Sequence, residues 1–530
     1  MTTTSTGPTG PSPRRRTPVR RRGRSSVHPS PVLRLLALLS VVLVATPVIF
    51  LGVQLAGQPD GAAWAALWRP RTLSLTLNTV GLVAAVTAGT LAIGVPTAFL
   101  LARTDLAWRR GWQVLTALPL AVPSYVAGFA WVSLTPLRGF WGSVVVLVLV
   151  STPYVTLPVT AALRRADLDV EAVARTLGCG PVRAFRTAIL PQIAPAAGAG
   201  ALLAALYTVS DFGVVAIMRF PAFTWAVHTA FSGSFNRALA LVLSVVLVAL
   251  ALVIVLAERA LRRRAAAPGP VRVGAAAPVR LGGWQVPSTV LLAGLTVAAL
   301  GVPVATMVVR SVVSVAEREA ELARLGEAAV VTVLLGLAGA ALAALLALPI
   351  GILAARYRTR SVGALETATY LGHGLPGIVL GLSMVYLTLE LVPGIYQTPL
   401  VLVLAYALLF VPKAAGSVRA AVSQVPVSLE QTARTLGRSP VGAWFAVTGR
   451  LAWPGVAAGA LLVALTAMKE LPATLMLRPT GTDTLATRLW QLTDIAAYGA
   501  AAPYAVTLIA VASVPAFLLS RHADRQADPT

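Results

Sequence analysis

The sequence predicts an all-α integral membrane protein of about twelve transmembrane helices, built as two parallel six-helix repeats. Three observations predict it. Of 530 residues, 57% are hydrophobic and only 12% charged, with a mean hydropathy of +0.79, more apolar surface than a water-facing shell can cover. The apolar residues gather in runs near the ~20 residues that a helix needs to cross a hydrocarbon core. Finally, residues 171–219 are echoed without a gap 259 positions later, at 430–478.

The first 30 residues, rich in Pro, Thr, Ser and Arg, read as a disordered basic tail. The first apolar run, near 33–56, is too long for a signal-peptide core and is expected to be a retained helix. Further runs follow near 75–102, 113–135, 141–163, 192–217 and 238–257, completing a first repeat over 31–257. A basic linker at 258–285 leads to runs near 286–309, 328–355, 366–390, 398–421, 455–477 and 503–520, a second repeat over 286–520, with a tail at 521–530. None alternates as a barrel strand would, and lipid leaves helices as the other way to satisfy the backbone. Thr79, Pro96, Arg103 and Pro123 correspond to Thr332, Pro349, Arg356 and Pro376 at an offset of 253, and Pro153 to Pro412 at 259. Six spans per repeat is an even number, so the halves run parallel about an axis along the membrane normal.

A net charge of +24 raises the question of nucleic acid, and its distribution answers it. Seven arginines lie between Arg14 and Arg24 and six between Arg259 and Arg280, with others at Arg103, Arg109, Arg110, Arg356, Arg358 and Arg360. With cytoplasmic termini every cluster falls inside, as the positive-inside rule requires. Basicity here is topology. Cys179 is the sole cysteine, which excludes an intramolecular disulfide, and the four histidines form no metal-ligand spacing.

Two polar stretches, 166–191 and 425–454, interrupt the apolar pattern between the fourth and fifth spans of each repeat. Good helix formers over 166–177 and 428–436 precede Gly178 and Gly437, which suit a helix C-terminus. Pro181 and Pro440 then open a second helix, with Ser439 as N-cap in the second copy. A rigid helix–glycine–helix unit, made twice, predicts two matching docking points for a partner outside the bilayer.

These loops resemble the EAA motif of permease subunits of bacterial ABC importers, in which the loop is a coupling helix seated in the ATP-hydrolysing subunit. Ala174, Gly178 and Ile189-Leu190-Pro191 match the motif in the first half, and Ala433 and Gly437 in the second. Glu171 and Glu430 stand one position before the consensus glutamate, whose places hold Ala172 and Gln431, and the second copy has Arg450-Leu451 in place of Leu-Pro. The resemblance implies a type I importer permease fold, with Glu171, Ala174, Gly178, Pro181, Glu430, Ala433, Gly437 and Pro440 as the ATPase-coupling residues. It also implies two copies of a cytoplasmic ATPase, an extracytoplasmic binding protein, and a place in the bacterial inner membrane. Met468-Lys469-Glu470-Leu471-Pro472-Ala473-Thr474, with Leu477-Arg478-Pro479, resembles the fused two-repeat permeases of ferric iron uptake, whose relatives move thiamine, phosphonates, polyamines or oxyanions.

No Gly-x-x-x-x-Gly-Lys-Ser/Thr motif occurs, and the only lysines are Lys413 and Lys469, so ATP and Mg are expected on partner subunits, with no cofactor, metal or catalytic residue in this chain. Asp211 and Glu470 are repeat-equivalent acids within apolar spans, each two residues before a helix disruptor, Gly213 or Pro472. Two roles fit them: a substrate pathway attractive to cations, or caps on broken helices. Asn78, next to Thr79, is a candidate for interhelical hydrogen bonding. A twelve-span secondary carrier is the competing class, but it has no use for a duplicated docking loop.

Overall fold

The computed structural model describes residues 30–527 except 58–64, 66, 168, 234–236, 266–277, 316–318 and 358. Nearly all of the expected N-terminal tail, the middle of the basic linker and the last three residues therefore lie outside the description. The described elements are helical. In the first half they are α1 (Pro31–Ala56), α2 (Pro70–Arg103), α3 (Arg109–Ala117), α4 (Ser124–Leu134), α5 (Gly139–Arg165), α6 (Asp169–Thr176), α7 (Pro181–Ser210), α8 (Gly213–Ile217), α9 (Phe223–His228) and α10 (Arg237–Ala265). In the second they are α11 (Gly282–Val312), α12 (Glu319–Arg356), α13 (Arg360–Leu371), α14 (Gly377–Leu391), α15 (Pro399–Ser423), α16 (Val427–Thr435), α17 (Pro440–Met468), α18 (Pro472–Leu477), α19 (Leu485–Asp494) and α20 (Tyr498–Ala527). Each helix of the second half carries its counterpart's number plus ten.

Among the described residues, nine helices are long and apolar enough to cross a membrane, and α3 with α4 make a tenth if that bent pair is one span. The two remaining runs hold shorter apolar helices, α14 and the segment Tyr498–Val514 of α20. Twelve unbroken crossings are thus not what the chain forms: the third and fifth runs of each repeat are interrupted. The axis turns by 92° between Arg109–Ala121, which is α3 continued by a 3₁₀ turn at Leu118–Ala121, and α4. Pro123 follows, and proline holds the residue before it extended, as Val122 is at ψ 123°. Gly372–Gly374 and Pro376 make the corresponding break between α13 and α14. The fifth runs stop at Asp211 and at Lys469, so α8 and α18 are short separate helices.

The α2–α5 and α12–α15 pairs form the spine of the two halves, with small residues admitting close approach as membrane helix packing favours. A Cβ on Gly94 would lie 3.3 Å from the Thr152 carbonyl oxygen, so no larger residue fits there unmoved. The halves are interlocked at their first helices. Ala37, Val41 and Val44 of α1 share a core with Ile350, Leu375 and Val379 of the second half. Reciprocally, Leu292 of α11 packs with Leu101 and Trp112, and its Met307 with Val126 and Phe129.

Hydrogen bonds pin the short outer helices in both halves. Thr79 accepts the Phe223 N–H at 3.2 Å and Thr332 the Leu485 N–H at 2.9 Å, each satisfying an orphan donor at the start of α9 or α19. Asn78, expected to bond between helices, donates instead to the Pro221 carbonyl of the loop before α9 at 3.1 Å.

Candidate functional site

The two polar loops fold as matching units. α6 ends in a left-handed glycine, Gly178 at φ +81°, and α16 in Gly437 at φ +87°. The Gly178 N–H donates to Arg175 O at 3.0 Å and the Cys179 N–H to Ala174 O at 3.1 Å; Gly437 to Arg434 O at 3.0 Å and Arg438 to Ala433 O repeat the pair. This is a Schellman closure in both copies, and it needs a residue without Cβ at the turn. Pro181 and Pro440 occupy the first turn of α7 and α17, and Ser439 Oγ accepts the Gly442 N–H at 3.1 Å. The next turn of each entering helix is π-wound, Phe185–Ile189 and Trp444–Gly449.

Glu171 and Glu430, read from the sequence as contact residues, turn inward instead. Glu171 is buried and accepts from Arg103 Nη2 at 2.6 Å and from Arg175 at 2.9 Å. Glu430 pairs with Arg356 Nη2 at 2.6 Å and also takes a short bond from Thr448 Oγ1. Arg356 additionally donates to the Val425 carbonyl at 2.8 Å. Each glutamate therefore bolts its loop to the end of α2 or α12. The sequence held the signal, since both the arginines and the glutamates recur between repeats, but nothing in the offsets showed that they meet. Ala433 is buried and Ala174 half-buried beneath their helices, whereas Gly178, Gly437, Pro181 and Pro440 are exposed.

Among the arginines and polar residues that face outward stand matching apolar ones. Leu177 and Leu436 are 79% and 80% exposed, and Val182 and Val441 65% and 66%. These pairs are repeat-equivalent at the 259 offset. Matching exposed apolar residues on two copies of one motif make these loops candidate interaction surfaces, and the sequence reading passed over them because leucine and valine are unremarkable in so apolar a chain.

The acids Asp211 and Glu470 lie at the helix breaks. Asp211 Oδ1 accepts the Val214 N–H at 2.8 Å and Glu470 Oε1 the Ala473 N–H at 3.2 Å, so both carboxylates cap the short helix that follows. Their carbonyls accept from Thr224 Oγ1 at 2.7 Å and Thr474 Oγ1 at 2.6 Å. Each break packs against the elbow of its own half, the bend between α3 and α4 or between α13 and α14. The Ser124 side chain faces the Asp211 carboxylate. At the equivalent position stands Gly377, where a Cβ would collide with Glu470 Oε1. One half uses a short acid and a serine; the other a longer acid and no side chain. Gly128 and Gly381, also equivalent, let α4 and α14 approach α8 and α18. The halves meet here too: Lys469 Nζ donates to the Leu120 carbonyl at 2.9 Å, and the Tyr125 hydroxyl to the Lys469 carbonyl at 3.4 Å.

Two sequence comparisons bear on this architecture. The family model of the binding-protein-dependent transport system inner membrane component matches twice, at residues 94–267 and 347–528. The chain belongs to that family. It is a fused, two-repeat permease of ABC importers, a transport subunit and a multi-pass membrane protein. The chain is 35% identical to the Fe(3+)-transport system permease protein FbpB 2 of Haemophilus influenzae, over 86% of its own length and 91% of the relative's. It is 30% identical to a molybdate/tungstate transport system permease protein, WtpB of Thermococcus kodakarensis, over 28% of this chain and 60% of that one. To a sulfate transport system permease protein, CysT of Salmonella typhimurium, it is 27% identical over 33% and 69%.

Proposed function

We propose that this chain forms the translocation path of an ATP-driven importer of ferric iron. The observation that carries the reading is the pair of equal outward faces, Leu177 with Val182 and Leu436 with Val441, each bolted by an arginine–glutamate pair to a membrane helix. One ATPase subunit docks on each loop, two in all, and holds the ATP and Mg; this chain binds no cofactor. The loops, both termini and the arginine clusters then lie in the cytoplasm, and an extracytoplasmic binding protein delivers cargo to the opposite face of the bacterial inner membrane. Iron is favoured over molybdate or sulfate because the ferric relative matches across both halves, whereas the oxyanion permeases match a third of the chain or less.

Mechanically, closure of the ATPase pair on ATP draws α6 and α16 together. Because Glu171–Arg103 and Glu430–Arg356 tie these helices to α2 and α12, the displacement passes to the spine of each half rather than being lost in loop bending. ATP must favour one orientation of the halves over the other for this to do work. Asp211 and Glu470 serve the path by holding its breaks open as capped helix starts, so the ends of α8 and α18 stay formed beside the route.

The test is uptake of ⁵⁵Fe into proteoliposomes holding this chain with its ATPase and binding protein. ATP-dependent uptake requiring all three components is the expected result. Gradient-driven uptake by this chain alone makes it a secondary carrier and overturns the reading; ATP-dependent uptake of thiamine, phosphonate or polyamine but not iron retains the machinery and replaces the cargo.

A further inference from the structure

Both lysines of the 530-residue chain stand beside the elbow of the second half. Lys413 lies ten residues before the end of α15, a rise of about 15 Å, half of a bilayer core. Lys469 ends α17 and reaches across the seam between the halves to the Leu120 carbonyl. Lys413, Lys469 and Glu470 lie within electrostatic reach of one another. Among the described residues neither lysine forms an ion pair with a carboxylate. Lys413 Nζ sits 5.2 Å from the Phe410 ring centroid instead, and Glu470 is held by its own cap. All three residues are half-buried.

The pseudo-symmetry sharpens the point. At the 259 offset the first half has Tyr154 and Ser210 where the second has Lys413 and Lys469. Tyr154 and Ser210 are also half-buried, and the Tyr154 ring lies tilted against that of Tyr207 with centroids 5.4 Å apart. The framework therefore needs no ammonium group at these places, since one copy folds with hydroxyls. Intramembrane cations without a fixed counter-ion are expensive and are kept for a ligand or a path. A bare trivalent cation would meet two like charges against one capped carboxylate, a repulsion that low dielectric magnifies.

We infer that Lys413 and Lys469 form a transit site for an oxyanion, which crosses either alone or as the ligand shell of ferric iron. The ammonium groups supply the charge and donate to oxygens that the metal leaves free. On the iron reading above, the metal passes this point still coordinated by its anion rather than as a naked ion. The site itself stands apart from that choice of cargo, resting only on the permease architecture.

The experiment uses the complete transporter, this chain with ATPase and binding protein, in proteoliposomes. Three probes are supplied in parallel: ⁵⁵Fe with ¹⁴C-citrate, ⁵⁵Fe with ³²P-phosphate, and ⁹⁹Mo-molybdate without iron. Entry of a labelled anion together with ⁵⁵Fe, cut at least tenfold by Lys413→Gln/Lys469→Gln and largely restored by Lys413→Arg/Lys469→Arg, is expected. Lysine-dependent entry of molybdate with no entry of iron supports the site and removes the ferric reading. Entry of ⁵⁵Fe with no labelled anion, or uptake indifferent to the double glutamine variant, overturns the site. Co-purification of the ATPase reports assembly of each variant, and the co-entry measurement on the unaltered protein does not depend on any variant folding.

Discussion

Replacing Arg356 with methionine tests how the second loop is held. The arginine side chain is 13% exposed and Glu430 21%, and Arg356 also serves the Val425 carbonyl and Thr448 Oγ1 at 2.8 and 3.2 Å. Methionine keeps the stem's packing and removes every one of these bonds, leaving Glu430 as a poorly hydrated charge. Breaking such a pair costs about 3 kcal/mol, near the lower end for buried pairs because the glutamate retains some water. That is a factor of roughly 150 in the equilibrium docking α16 on the end of α12. Arg175 provides the internal comparison: it is half-exposed and pairs with Glu171 at i,i+4, so Arg175→Ala costs only about 0.3–0.5 kcal/mol. The assay is a double-mutant cycle, R356M, E430A and both together, read by hydrogen exchange over 427–438 and by thermal unfolding in detergent. A coupling of at least about 1 kcal/mol is expected for contacting residues, with faster exchange confined to α16 and its turn. Additive single effects, or R356M no worse than R175A, refute the idea that this pair fastens the loop.

Other consequences are equally open to measurement. Leu177→Asp with Leu436→Asp charges both outward faces and should abolish ATPase co-purification while leaving thermal unfolding within a degree or two, since both side chains are almost fully exposed. Gly437→Val forces a β-branched side chain to φ +87° and should lower stability by about 1–2 kcal/mol, whereas the same change at exposed Gly180, which has negative φ, should cost little. Gly377→Ser drives a side chain into Glu470 and should reduce the folded yield, and adding Glu470→Asp should restore it by recreating the Ser124–Asp211 arrangement of the other half.

Much of this was legible in the chain because membrane helices announce themselves by length, and because a repeat lets each half check the other. Gly178 and Gly437 were readable as helix ends for a local reason: a left-handed turn is a property of a few consecutive residues. Asp211 and Glu470 left two readings open, since a carboxylate before a helix disruptor looks the same whether it caps a helix or greets a cation, and only the position of the Val214 and Ala473 N–H groups separates them. The broken third span was missed although Pro123 and Pro376 were noted, because proline inside a membrane helix is often absorbed, as Pro96, Pro153 and Pro412 are here. The exchange of first helices between halves, and the meeting of Arg103 with Glu171, depend on packing across long sequence separations that periodicity does not encode.

The repeat also separates what the machine needs twice from what it needs once. The arginine–glutamate bolts, the glycine turns, the outward leucines and the capping acids are present in both halves, as they must be if two identical motors pull on two equivalent levers. The elbow's other polar groups are not duplicated: Ser124 is replaced by Gly377, Tyr154 by Lys413 and Ser210 by Lys469 at the equivalent positions of the second half. Symmetric cargo handling would give no reason for that divergence, because any side chain that merely filled space would serve as well in either copy. A path shared by two halves, however, is a single object, and each half contributes one wall. On the proposed function, duplication marks the coupling machinery and its absence marks the lining, and the asymmetric positions at the elbow are where selectivity should change first. Converting Tyr154 to lysine or Lys413 to tyrosine alters one wall at a time. If the lining sets selectivity, those two variants will shift the preference between iron and molybdate in opposite directions at unchanged ATPase binding. A shift in the same direction, or none, would place selection in the binding protein alone.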